Sequence, residues 1–184
     1  MKRLSDRERV AYHEAGHAVM CYELHLPFKR VSIVPDAESA GRVHPHDPPP
    51  GFRPDCETDL RTEQRIKHQV MALLAGSLAE NLAARPGPQR WAEGDSDNAL
   101  SFATYVTGSG EEASAYVRWL WERTKLYLSR PWVWAEVKAL VAALLEHDDL
   151  SGPRARRVIK EGLRAWRDAE GAGGNKPGVL GPNV

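Results

Sequence analysis

Cysteine is scarce: Cys21 and Cys56 are the two in 184 residues. Two thiols in a chain of this size make no disulfide framework, so reduced side chains in a reducing compartment are expected. Charge of one sign is also missing, since 25 Lys and Arg balance 25 Asp and Glu to a formal net charge of zero. Such a chain has no overall field to draw in nucleic acid or an anionic membrane. Arg154, Arg156, Arg157 and Lys160 read as a solvated helix face. No apolar run follows Met1; the opening MKRLSDRERV is polar and charged, so no signal peptide is expected. The most apolar stretches, 71–82 and 133–145, are too short and interrupted to span a bilayer. A soluble, cytoplasmic protein with neither membrane nor nucleic acid as partner is the expectation. No GxxxxGK[ST] run and no internal repeat occur, so no P-loop ATPase is expected of this chain itself.

What is present is a globular mix, 42% apolar and 27% charged, enough for one core. Ser5 and Glu8 have capping-box spacing, and a helix from there runs to about Leu24, before Pro27. Val31–Pro35 (VSIVP) and Gly41–His44 (GRVH) are short extended runs around a compact turn and predict a β-hairpin. The Pro-dense segment His44–Asp55 is a loop. With Thr58 as a candidate cap, a second long helix runs to about Ala84. Its apolar stripe is Ile66, Val70, Leu73, Leu74, Leu78 and Leu82, at three- and four-residue spacing. Asp95 or Ser96 looks like the cap of a helix from Asp97 to about Val106, and three further helices follow over about 111–128, 131–145 and 154–167. The fold class is mainly α with a small β-hairpin or sheet. Residues 1–168 form the domain, and 169–184, rich in Gly and Pro, read as a flexible tail.

Chemistry concentrates in HEAGH, His13 to His17. Helical residues four apart differ by about 40° and lie roughly 6 Å apart along the axis. Both imidazoles therefore project from one face, where they can share a metal such as zinc. Glu14 points off to the side of that stripe, which suits a general base acting on water rather than a ligand. A third protein ligand is required. The acidic run Glu93–Asp97 (EGDSD) is the richest source. Glu80 is an alternative, although a buried carboxylate paired with Arg or with a backbone amide is the simpler reading of it. Gly16 sits in mid-helix, at a cost of up to about 1 kcal/mol relative to Ala; either another backbone approaches there or the cost is merely tolerated. His44 and His46 flank Pro45 and read as surface histidines, as alternatives to cleft or second-metal residues.

The segment Ala11–Val19 (AYHEAGHAV) resembles the zinc helix of the FtsH-type ATP-dependent metallopeptidases. VSIVP followed by AGRV, then MALLAGSLAENL, EGDSDNALSFAT and ALLEHDDLSG, resemble further parts of that domain in the same order, from about Leu4 to Arg167. The resemblance implies a mostly helical zinc endopeptidase with Zn2+ as cofactor, His13 and His17 as ligands, Glu14 as base and an aspartate near Asp97 as third ligand. A strict letter count puts Asn98 in that place. Asp97 is preferred because a carboxylate binds zinc more strongly than an amide, and Asp95 is second. The resemblance also implies an extended polypeptide substrate bound along the strand edge near Gly41–His44. The ATPase and membrane helices usual in that family are not found in this sequence. A separate ATPase partner, or action on peptides and unfolded segments alone, is therefore expected. Six tryptophans, four of them at 119–134, read as core packing, with a helix-helix or homo-oligomer contact as the alternative, one that the ring-forming habit of the resembled family supports.

Overall fold

The computed structural model describes residues 4–35, 40–45, 52–55, 59–84 and 92–171. His46, Cys56, Thr58 and the tail beyond residue 171 lie outside them, as do residues 46–51 of the Pro-dense loop. The elements are α1 (Asp6–Glu23), β1 (Phe28–Ser32), β2 (Arg42–Pro45), α2 (Leu60–Ala83), α3 (Glu93–Ala103) with a 3-10 turn at Thr104–Val106, α4 (Gly110–Leu128), α5 (Pro131–His147), β3 (Asp149–Ser151) and α6 (Gly152–Ala169). The expected class, mainly α with a small sheet, is the one found.

α1 starts at the predicted capping box. Ser5 Oγ accepts the Glu8 N–H at 3.2 Å, and the Ser5 N–H donates to Glu8 Oε2 at 2.7 Å, which satisfies two of the helix's open donors. It ends in a pair of reversed hydrogen bonds, His25 N–H to the Tyr22 carbonyl and Leu26 N–H to the Cys21 carbonyl. His25 takes the left-handed φ of 57° at the position that glycine usually holds. α2 is capped by Asp59, whose Oδ1 accepts the Thr62 N–H at 2.7 Å, and α4 by Ser109.

α1 and α2 approach each other closely at small residues: Gly16 of α1 meets Ala75 and Ala79 of α2, and both alanines are buried. Gly16 resolves the choice left by the sequence. A Cβ there would lie 2.4 Å from the Ala75 carbonyl oxygen and 2.7 Å from Ala79 Cβ, so close backbone approach requires the glycine. Of the α2 stripe, Ile66, Val70, Leu74 and Leu78 are buried, and Leu73 and Leu82 pack partly buried against the same core.

The sheet has three strands in the order β2-β1-β3, one more than the predicted hairpin. β1 pairs antiparallel with β2 through Val31↔Val43 and with β3 through Val31↔Leu150. It starts at Phe28, three residues before the predicted run, because Phe28 and Val31 both face the core. β3, three residues long, is too short to show alternation. Among the described residues β2 therefore lies at one edge. No helix among the described residues is long and apolar enough to cross a membrane.

Candidate metal centre

His13 and His17 stand one turn apart on α1 and their rings meet edge to face, centroids 4.6 Å apart. His17 Nδ1 donates to the Ala72 carbonyl of α2 at 2.7 Å. That bond fixes the tautomer and leaves the Nε2 lone pair facing the cleft. His13 Nε2 lies 3.0 Å from His17 Nε2. From α3, Asp95 Oδ2 closes the triangle at 3.0 Å from His13 Nε2 and 3.2 Å from His17 Nε2. One ligand atom from each of the three residues lies within 4.8 Å of the others.

Asp95, not Asp97, is thus the carboxylate brought to the histidine pair. Asp97 is exposed and stands about 200° further round the helix. The difference follows from where α3 begins. Ala92 is its N-cap and Glu93 its first residue, four residues ahead of the predicted start. Asp95 therefore falls inside the first turn instead of capping it. The Ala92 N–H donates to Ser77 Oγ at 2.9 Å, so the α3 entry is tied to α2. Glu80, the alternative ligand of the sequence reading, sits on the Nδ1 side of His13, 3.8 Å away, and forms an ion pair with Arg9.

Whether the site suits a metal can be judged from Gly76, which sequence reasoning passed over. A Cβ there would lie 2.3 Å from His17 Nε2 and 2.8 Å from His13 Nε2, so any other residue would push into the donor atoms. Two imidazole nitrogens and one carboxylate oxygen are also an ordinary zinc donor set. A glycine inside an apolar helix was the available signal. The residues fit the ion.

Charges in the cleft are strongly coupled. Burial works against a proton on His13, but the Asp95 and Glu80 carboxylates, helped by Glu14, outweigh it and push its pKa up to about 9. A proton and a cation compete for that nitrogen. Burial would raise the Asp95 carboxyl, yet the two imidazoles beside it hold it well below the usual carboxylate range. Glu14, 5% exposed, is shifted upward, mainly by burial, against the opposing pull of His17, His13 and the Val43 N–H that donates to it. Gly41 lets β2 come this close: a Cβ there would lie 2.9 Å from Glu14 Cγ. The cleft over these residues holds about 870 Å³ and is lined along α1 from Asp6 to Cys21, along α2 from Gln69 to Glu80, and by Gly41–Val43 and Asp95.

The other described histidines are elsewhere. His44 lies in β2 opposite Arg30, His68 meets Gln64 Nε2 at 2.7 Å, and His147 meets Arg154 Nη2 at 2.7 Å. Of the tryptophans, Trp121 is buried and Trp119 is 48% exposed; Trp134 stacks on Tyr12, and Trp132 lies against Trp166.

A helical domain whose first helix sets a His-Glu-x-x-His face against an aspartate from a later helix has the make-up of a metal-dependent hydrolase. The model for peptidase family M41 matches residues 2–107, and the chain belongs to that family of zinc metallopeptidases. It is 40% identical over 85 residues to ATP-dependent zinc metalloprotease FtsH 2 of Sphaerobacter thermophilus, a match covering 44% of this chain and 12% of the relative. It is 42% identical over 83 residues to FtsH 1 of Sorangium cellulosum, covering 42% and 12%. A longer match, 27% identical over 167 residues, is to the FtsH of Acidimicrobium ferrooxidans and covers 90% of this chain and 22% of that protein. The chain thus spans between about an eighth and a quarter of the length of these relatives.

Proposed function

We propose that this chain is a zinc endopeptidase that hydrolyses peptide bonds in extended or unfolded polypeptide. The observation that carries the proposal is the convergence of His13 Nε2, His17 Nε2 and Asp95 Oδ2 beside a buried Glu14. His13, His17 and Asp95 would hold the metal. Zinc, when bound, polarises a scissile carbonyl and makes a water acidic enough to ionise near neutral pH. Glu14 takes up the proton of the attacking water on its carboxylate and passes it to the departing amine nitrogen. Its raised pKa suits a group that must accept a proton and then release it. The Val43 N–H on Glu14 ties the base to the strand that borders the cleft.

Among the described residues β2 has β1 on one side only, so its outer edge offers backbone donors and acceptors to an extended peptide. Pairing through the main chain favours broad sequence tolerance. The cleft follows α1 from Asp6 to Cys21, about 22 Å of helix at 1.5 Å per residue. That length supports a polypeptide substrate over a small amide. A non-catalytic metal-binding module would have no use for a buried carboxylate beside the donor set.

We further infer that any unfolding ATPase acts from a separate polypeptide or segment, that cleavage of unstructured substrate needs no nucleotide, and that the protein works in the cytoplasm. Protein purified without added metal should carry near-stoichiometric zinc, and the double change His13→Ala, His17→Ala should abolish it. Casein digestion without ATP should fall at least about a hundredfold in Glu14→Gln, the usual worth of a general base. Equal digestion by the two would refute the mechanism.

A further inference from the structure

The two imidazoles at the centre are oriented by different devices. His17 Nδ1 donates to a backbone carbonyl, that of Ala72, which no substitution on α2 removes. His13 has a side chain behind it instead, with Glu80 Oε2 3.8 Å from its Nδ1. A carboxylate on a three-torsion stem holds a ring only if something holds the carboxylate. Arg9 supplies this. It stands one turn before His13 on α1, and its Nη2 pairs with Glu80 Oε1, leaving Oε2 to face the imidazole. Both side chains are mostly buried, at 24% and 15% exposure, so the pair is shielded from the solvent competition that weakens surface ion pairs.

We propose that Arg9 is a positioning residue for the metal centre: by clamping one oxygen of Glu80, it aims the other at His13 Nδ1 and so turns Nε2 toward the site. The bland reading is an ion pair that merely staples α1 to α2. The two readings differ in what they move. A staple changes melting temperature and nothing at the metal, whereas a clamp on the partner of a ligand histidine changes metal affinity, where loss of such partners typically costs 10- to 100-fold.

The inference rests on the zinc-site reading above, and a double-mutant cycle separates the two. Zinc affinity is measured by chelator competition in the wild type, Arg9→Met, Arg9→Lys, Glu80→Gln and the Arg9→Met/Glu80→Gln double variant, with circular dichroism and metal-free melting on each. Arg9→Met should weaken zinc binding about tenfold, and Arg9→Lys should restore most of it. In the Glu80→Gln background Arg9→Met should change affinity less than about twofold, because the clamp has lost its object. Unchanged affinity in Arg9→Met with a lowered melting temperature would leave only the staple, and so would equal losses in both backgrounds. Wild type that binds no zinc would sink the site itself, not this refinement of it.

Discussion

At the scale of single residues, the centre depends on which acid of a short acidic run faces the histidines. Asp95 and Asp97 are two residues apart, and a helix turns them to opposite sides. Asp95→Asn should therefore lower zinc affinity at least about tenfold in a chelator titration, since an amide is a poor substitute for a carboxylate. Asp97→Asn, on the exposed side, should leave it within about twofold. The reverse result would mean that α3 begins later than described. Reading the sequence found His13, Glu14 and His17 without difficulty, because a four-residue helical interval is a local property. It misplaced the aspartate because the start of α3 is not set by local capping chemistry. Asp95 and Ser96 look like caps, whereas the helix starts from Ala92, which makes no side-chain cap bond; the tie from the Ala92 N–H to Ser77 takes its place. That is a tertiary contact with no local signature. Gly76 and Arg9 were missed likewise: the role of each exists only where α1 crosses α2.

At the scale of elements, helix boundaries were legible where capping chemistry set them and blurred where packing did. The Ser5 and Glu8 box, Pro131 at the head of α5 and the stripe along α2 all stand where their patterns put them. β3 was invisible, because three residues carry no period. The end of α1 is a different case. His25 holds the left-handed conformation so that the chain can reverse into β1, and a side chain with a Cβ is strained there. His25 is exposed, so its replacement should remove strain without opening the core. His25→Gly should raise stability by about 1 kcal/mol in urea unfolding, with zinc content unchanged. A loss of similar size would show that the imidazole makes a contact that outweighs the backbone strain.

At the scale of the whole molecule, the donor set, the base and the cleft lining all come from residues 6–98. The family match stops at residue 107, and the remaining helices contribute no residue to the centre. α5 packs against α1 and α6 against α5, with buried side chains such as Leu140, Leu144 and Ile159. β1 is flanked by β2 on one side and on the other by β3, which arrives from the far end of the chain. The portion that does the chemistry is therefore not a portion that can stand alone. A fragment ending at 107 would present β1 with a bare flank and α1 with an uncovered oily back, and such surfaces find each other in solution. It should sediment as aggregates while the full chain does not. The later helices are in effect a built-in chaperone: they spend no side chain on catalysis, yet without them the catalytic half would precipitate before it met a substrate.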